Sequence, residues 1–175
     1  MLYKLVGLGA FLGAISLSGG LSIAPNGFDG VFGFVKIGSN YYFIEDKVQK
    51  NWYDAYESCR RMKADLVAFN NLEELKEINQ YLLKANEGKE FWTAGTDLAK
   101  QGEHIWFSNG QRISSDLFRI GEPNNQNNNE HCDNMWISST AIGLNDDGCG
   151  KSYYYICQAP DLKQLVLLYG RLTIG

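Results

Sequence analysis

A basic surface is the first thing this sequence lacks. Its 16 Lys and Arg are outnumbered by 20 Asp and Glu, for a net charge of −4 and a pI near 5.2. No Lys/Arg cluster stands out beyond Arg60-Arg61. That balance argues against nucleic acid as a partner. Long apolar runs are scarce too. The one candidate, Leu5 to Leu17, falls short of the roughly 20 residues a membrane-spanning helix needs. Lys4 precedes it and the small residues Ser18, Gly19 and Gly20 follow, so residues 1–20 read as a cleaved signal peptide. The mature chain is then expected to be secreted and extracellular, with no membrane insertion after cleavage. Asn-x-Ser/Thr is absent, so N-glycosylation is not expected. There is no internal repeat, and no collagen-like or heptad segment to drive oligomerisation.

What is present suits one domain. Of the 175 residues 45% are hydrophobic and 13% aromatic, enough for an aromatic-rich core. Four cysteines in an exported chain read as two disulfides, and the three pairings they allow stay open at this point. Residues 21–33 are Gly-rich, with Pro25 and Asn26, and read as a spacer. Val35 to Ile37 and Tyr41 to Ile44 are strand-like and flank Gly38-Ser39-Asn40, a hairpin signal. Asn51 can cap a helix whose buried face is Trp52, Ala55, Cys59 and Met62. Asn71 and Glu74 have capping-box spacing for a second helix, striped by Leu72, Leu75, Ile78 and Leu82 and ended by Asn86-Glu87-Gly88. Short aromatic strands are expected at Phe91 to Ala94, Ile105 to Phe107, Asn134 to Ile137 and Tyr153 to Cys157, with long polar loops between them. Two helices followed by many short strands indicate an α+β fold. The tail, 159–175, is apolar over Leu165 to Tyr169, and edge strand, helix or interaction segment all fit it.

One constellation carries chemistry. Glu122, Asn124, Glu130, Asn145 and Asp146 offer carboxylate and amide oxygens only. Such donors suit a hard cation, calcium, at six to eight coordination. Each Asn can give its oxygen to the ion and keep its NH₂ as a donor. That pairing fits a vicinal diol, whose hydroxyl oxygens enter the calcium shell while each hydroxyl donates to Glu122 or Glu130. Charge-assisted hydrogen bonds are the stronger class. Water competes for every one, so affinity for a single sugar should be weak, and useful avidity calls for a homo-oligomer or clustered glycans.

From Phe34 to Gln158 the chain resembles a C-type lectin domain. Asn51-Trp52, Ala55 and Cys59 match the first helix. The run Phe91-Trp92-Thr93-Ala94-Gly95-Thr96-Asp97 stands where the family carries its Trp-Ile-Gly-Leu-like strand. Trp106, Asn109-Gly110, Glu122-Pro123-Asn124, Glu130 before Cys132, Asn145-Asp146 before Cys149, and Cys157 follow in order. The resemblance implies a C-type lectin-like fold over 34–158: two helices, short antiparallel sheets and a long calcium-binding loop region. It implies disulfides Cys59–Cys157 and Cys132–Cys149, the second closing a loop worth about 3 kcal/mol. It also implies a cis Glu122–Pro123 peptide and calcium ligation by Glu122, Asn124, Glu130, Asn145 and Asp146, which would bind the sugar as well. Family members with Glu-Pro-Asn generally take mannose, fucose or N-acetylglucosamine types, whereas galactose binders usually carry Gln-Pro-Asp. No Trp or Tyr closely follows Asn124 as a galactose platform. The implied function is secreted, calcium-dependent binding of mannose-type glycans on glycoproteins or microbial surfaces. Analogy to small secreted relatives extends this to innate immunity. The alternative is a C-type lectin-like surface binder independent of calcium and sugar.

Departures from the family pattern narrow this. Asp97 matches an auxiliary calcium position, but Gln101, Asn125 and His131 replace the other acids, so that second site is expected to be empty or very weak. Leu144 replaces a frequent Trp and should affect packing alone. His131 beside Cys132 suggests zinc only until Cys132 is placed in a disulfide. Asp147 reads as a solvated loop residue, and the Tyr153-Tyr154-Tyr155 run as partly core. An enzyme is not expected: calcium would keep Glu122 and Glu130 ionised, leaving no general acid, and no nucleophile–base pair is present.

Overall fold

A computed structural model describes residues 33–160. The residues read as a signal peptide, nearly all of those read as a spacer, and the tail beyond 160 lie outside the described residues.

Both helices begin as their sequences indicate. In α1 (Trp52–Arg61) the Asn51 side chain accepts the Asp54 N–H at 2.9 Å, and Trp52, Ala55, Ser58 and Cys59 face inward. In α2 (Leu72–Asn86) Asn71 accepts the Glu74 N–H at 3.0 Å. The reciprocal half of the capping box differs. Glu74 turns to the N–H of Asn70, one residue earlier, at 2.8 Å, and its other oxygen takes Asn40 and Tyr42. A carboxylate with four donors around it serves as a joint between α2 and the first hairpin. Asn79 lies on the buried face beside Leu75, Ile78 and Leu82. It is satisfied there by exchanging hydrogen bonds with the Ser138 backbone, at 2.9 and 3.1 Å.

The strands are β1 (Val35–Ile37), β2 (Asn40–Lys50), β3 (Asp65–Leu66), β4 (Glu90–Thr96), β5 (Ile105–Trp106), β6 (Cys132–Trp136), β7 (Leu144–Asp147) and β8 (Tyr153–Gln158). Among the described residues they join one sheet, in the order β1-β2-β8-β4-β6-β7, with β3 on β8 and β5 on β4. Expected as antiparallel throughout, the sheet is mixed, because β4 and β8 run parallel at Phe91↔Tyr154 and Trp92↔Tyr155. The hairpin turn is Gly38-Ser39, and Asn40 already belongs to β2 opposite Ile37.

Two strands were not legible. β3 is only two residues long. β7 is Leu-Asn-Asp-Asp, a composition that strands usually avoid. It is nonetheless paired residue by residue with β6, Asp133 facing Asp146 and Asn134 facing Asn145. A sheet edge thereby carries the polar residues that matter most here.

The core joins Trp52, Leu66, Phe69, Leu75, Ile78, Phe91, Trp92, Met135, Leu144 and Ile156, all at 2% exposure or less. Trp52 Nε1 donates to the Thr93 carbonyl and Trp92 Nε1 to that of Lys50, so both indoles are buried with their polar atoms paired. Cys59–Cys157 ties α1 to β8, and Cys132–Cys149 ties β6 to the segment after β7. Both are the pairings that the family resemblance implies. Leu144 is fully buried, as a packing role requires.

Candidate functional site

The long connection from β5 to β6 returns to the sheet edge at β7. Arg119 N–H donates to the Leu144 carbonyl at 3.0 Å, and Glu122 N–H donates to that of Arg119, also at 3.0 Å. The Glu122–Pro123 peptide is cis. Asp146 then grips the chain beyond it: Oδ1 accepts the Asn124 N–H at 2.9 Å and Oδ2 the Asn125 N–H at 2.7 Å. Glu130 closes the loop, accepting the Gln126 N–H at 2.8 Å, while its own N–H donates to Asn125 Oδ1 at 3.1 Å. Asn125, Asn127 and Asn128 all have positive φ, between 45° and 59°. Asn is among the few non-glycine residues that adopt this region readily, which gives the Asn-rich stretch a structural reason.

Glu122, Asn124, Glu130, Asn145 and Asp146 are thus gathered around one loop and the β7 edge. Asp146 and Glu130 hold the loop backbone, while Glu122 and Asn145 are linked through Arg119. Arg119 Nη2 donates to Asn145 Oδ1 at 2.6 Å and lies 3.8 Å from Glu122 Oε1. Asn145 Nδ2 donates to the Asp146 carbonyl at 2.7 Å. Nothing in the sequence pattern singled out Arg119. Its signal would have been a cation three residues before Glu122 in a mostly anionic loop.

Charge is concentrated here. Burial, followed by the negative charge of Asp146, raises the Glu122 carboxyl above its ordinary range. Glu130 is also raised, by burial first, with Asp147 and Asp146 adding to it and the Gln126 N–H opposing. Glu122 Oε2 is buried and has no hydrogen-bond partner. A buried carboxylate oxygen without a donor is costly unless a cation or proton meets it. Oxygen-only donors, mutual repulsion and an orphaned carboxylate oxygen together fit a hard cation. No three His, Cys, Asp or Glu side chains among the described residues converge on one point, Glu122, Glu130 and Asp146 included.

Beneath the loop lies a second network that the sequence did not announce. His104 Nδ1 is 2.9 Å from Asp133 Oδ1, and its Nε2 is 3.6 Å from Asp97 Oδ2. Asp97 also receives His131 Nδ1 at 2.8 Å and the Gly102 N–H at 2.7 Å. The carboxylate matching an auxiliary calcium ligand is therefore occupied by an imidazole and a backbone amide. Burial pushes Asp133 up to about 6, with His104 opposing. For His104, burial acts downward, but the hydrogen bond to Asp133 and the charges of Asp133 and Asp97 outweigh it and raise its pKa. Gly95 makes room for this pair: a Cβ there would stand 2.7 Å from Asp133 Cβ. His104 and Asp133 lie 29 residues apart, and the pairing arises only when β4, β5 and β6 are aligned.

Asp147, expected in solvent, is 4% exposed on β7. It accepts from Tyr153 Oη at 2.5 Å and from the Gly148 N–H at 2.7 Å, and it pairs with Lys151. These donors hold its carboxyl below the usual range despite burial. Its job is to fasten β7 to β8. In the tyrosine run, Tyr155 is buried while Tyr153 and Tyr154 are half-buried, packed on Trp92 and Phe91 respectively.

Residues 48–159 match the family model for the lectin C-type domain. C-type lectin 37Da of Drosophila melanogaster is 40% identical over 135 residues, covering 73% of this chain and 72% of the relative. C-type lectin domain family 4 member K of Mus musculus is 33% identical across 70% of this chain, which spans only 36% of that longer protein. The cow C-type carbohydrate-recognition domain of CD23, solved in the presence of a GlcNAc2Man3 oligosaccharide, superimposes with a TM-score of 0.60 at 25% identity, covering 72% of this chain and 92% of that one. The sequence match, the fold and the pairing of the four cysteines agree, and the chain belongs to the C-type lectin family.

Proposed function

We propose that this protein is a secreted lectin that uses one calcium ion, held by Glu122, Asn124, Glu130, Asn145 and Asp146, to bind mannose-type sugars. The family consists of carbohydrate-binding proteins rather than enzymes. The observation that carries the reading is the orphaned, buried Glu122 Oε2 in a loop that Asp146 fastens to the sheet edge. A calcium ion there would offset most of the charge of three carboxylates and accept two vicinal hydroxyl oxygens. The chain's own part is orientation. Glu122 and Glu130 would accept the hydroxyl protons, and the Asn124 and Asn145 amides would donate to the same oxygens.

Mannose-type preference follows from Asn124, because an amide at this position supplies a donor where Asp would supply an acceptor. The cow CD23 domain, solved with a mannose-containing oligosaccharide, supports the same class of ligand. With Asp97 taken by His131 and Gly102, the proposal needs only one ion. Glycans on glycoproteins or microbial surfaces are the partners this implies, with avidity from clustered ligands or a homo-oligomer. The signal-peptide reading of residues 1–20 supports a protein that works outside the cell, and analogy to other C-type lectins extends the proposal to innate recognition.

A glycan array probed in calcium tests the reading. Mannose- and fucose-terminated glycans should dominate, and Asn124→Asp should shift or abolish that profile. An unchanged profile in the variant would remove Asn124 from the site.

A further inference from the structure

Arg119 stands among residues meant for a cation. Its backbone is fixed from both sides, by the Leu144 carbonyl and by the Glu122 N–H. Gly143 makes the crossing feasible, since a Cβ there would come within 2.7 Å of the Arg119 nitrogen. The side chain stacks over Trp136, with Cζ at 5.2 Å from the ring centroid, and is 21% exposed. From that platform Nη2 takes Asn145 Oδ1 at 2.6 Å and faces Glu122 Oε1 at 3.8 Å. Arg119 Nε, like Glu122 Oε2, is buried without a partner. The guanidinium is therefore incompletely satisfied, yet it occupies the one oxygen that Asn145 can offer.

We propose that Arg119 is a built-in rival of calcium at this site. With no ion bound, its guanidinium balances Glu122 and occupies Asn145 Oδ1, so the five donor residues stay assembled. The same contact competes with a metal for Asn145 Oδ1, and the fixed positive charge opposes a second cation. Arg119 thus stabilises the calcium-free loop and lowers calcium affinity, which raises the calcium concentration at which the lectin switches on. It is a positioning residue, since nothing requires it to touch the sugar. This inference rests on the calcium-site reading above.

The sign follows from linkage. An interaction present without the ion and lost with it favours the free form. Removing it must destabilise the calcium-free protein, leave the calcium-saturated protein unchanged, and tighten calcium binding by the same factor. The size expected is that of one charge-assisted hydrogen bond, on the order of tenfold.

The test is Arg119→Met, which keeps an apolar stem for Trp136, compared with wild type and Arg119→Lys. Calcium affinity is read by titration calorimetry, and thermal stability is read in chelator and in saturating calcium. The proposal expects calcium bound about tenfold more tightly by Arg119→Met, and a melting temperature lowered in chelator only. Arg119→Lys should fall between, keeping the charge without the planar fork. Equal losses of stability with and without calcium would make Arg119 a plain packing residue and overturn the proposal. Unchanged or weaker calcium affinity in Arg119→Met, beside normal binding by wild type, would also overturn it while leaving the proposed function standing. Absence of calcium binding by both proteins would overturn the two together.

Discussion

Asp146 holds Asn124 by its backbone, Oδ1 to N–H at 2.9 Å, two residues beyond the cis Glu122–Pro123 bond. A β7 side chain thereby sets where the loop carrying Glu122 and Asn124 comes to rest, and its second oxygen does the same for Asn125. An acidic residue on an unpromising strand is thus a loop anchor as well as a proposed ligand.

Asp146→Asn separates those roles from mere shape. The new amide can accept one of the two backbone N–H groups but presents its NH₂ to the other. Loss of a charged hydrogen bond of this kind costs about 2 kcal/mol. Amide hydrogen exchange in chelator should show faster exchange at Asn124 to Gln126, with the core strands unchanged. Calcium binding by the variant should weaken by at least about tenfold. Unaltered exchange at these amides would show that Asp146 does not organise the loop.

Asn79→Ala probes the scaffold. It would leave both the N–H and the carbonyl of Ser138 unpaired in a buried setting, at a cost of about 2–3 kcal/mol. Urea denaturation should show that loss, while glycan affinity in calcium stays as in wild type. A fall in affinity without a fall in stability would couple α2 to the site, which the geometry does not.

The His104–Asp133 pair gives a pH dependence with a definite sign. Asp133 is raised from its ordinary value to about 6, and His104 is raised above its own. Both groups bind a proton more tightly in the folded state than in the unfolded one. Their contribution is therefore fully present on the acid side and is lost as pH rises through the folded values. Replacing the pair together, His104→Gln with Asp133→Asn, removes both titrating groups. In chelator, the melting temperature of wild type relative to that double variant should be higher near pH 5.5 than near pH 8. A difference that grows with pH would contradict the assignment.

Local signals carried much of the fold. Asn51 and Asn71 cap the helices that their spacing indicated, and Leu75, Ile78 and Leu82 are buried as their stripe required. Where the competing forces were non-local, the sequence was silent. β7 is a strand because β6 offers it a register, against the preference of Asn145-Asp146-Asp147 for loops. Asp147 is buried because Tyr153 and Lys151 come round to meet it, and neither is visible as a partner in a linear reading. The five proposed ligands stood out because they share one chemistry and a family spacing. Arg119 and the His104–Asp133 pair stood out in no pattern. Their roles depend on which groups the fold brings within 4 Å of them.

Binding to immobilised mannose in calcium, followed by a chelator wash and calcium readdition, tests the central claim most directly. A calcium-held sugar predicts retention on the matrix, complete release by chelator and recovery when calcium returns. Retention that survives chelation would contradict it and would make this C-type lectin domain a calcium-independent binder.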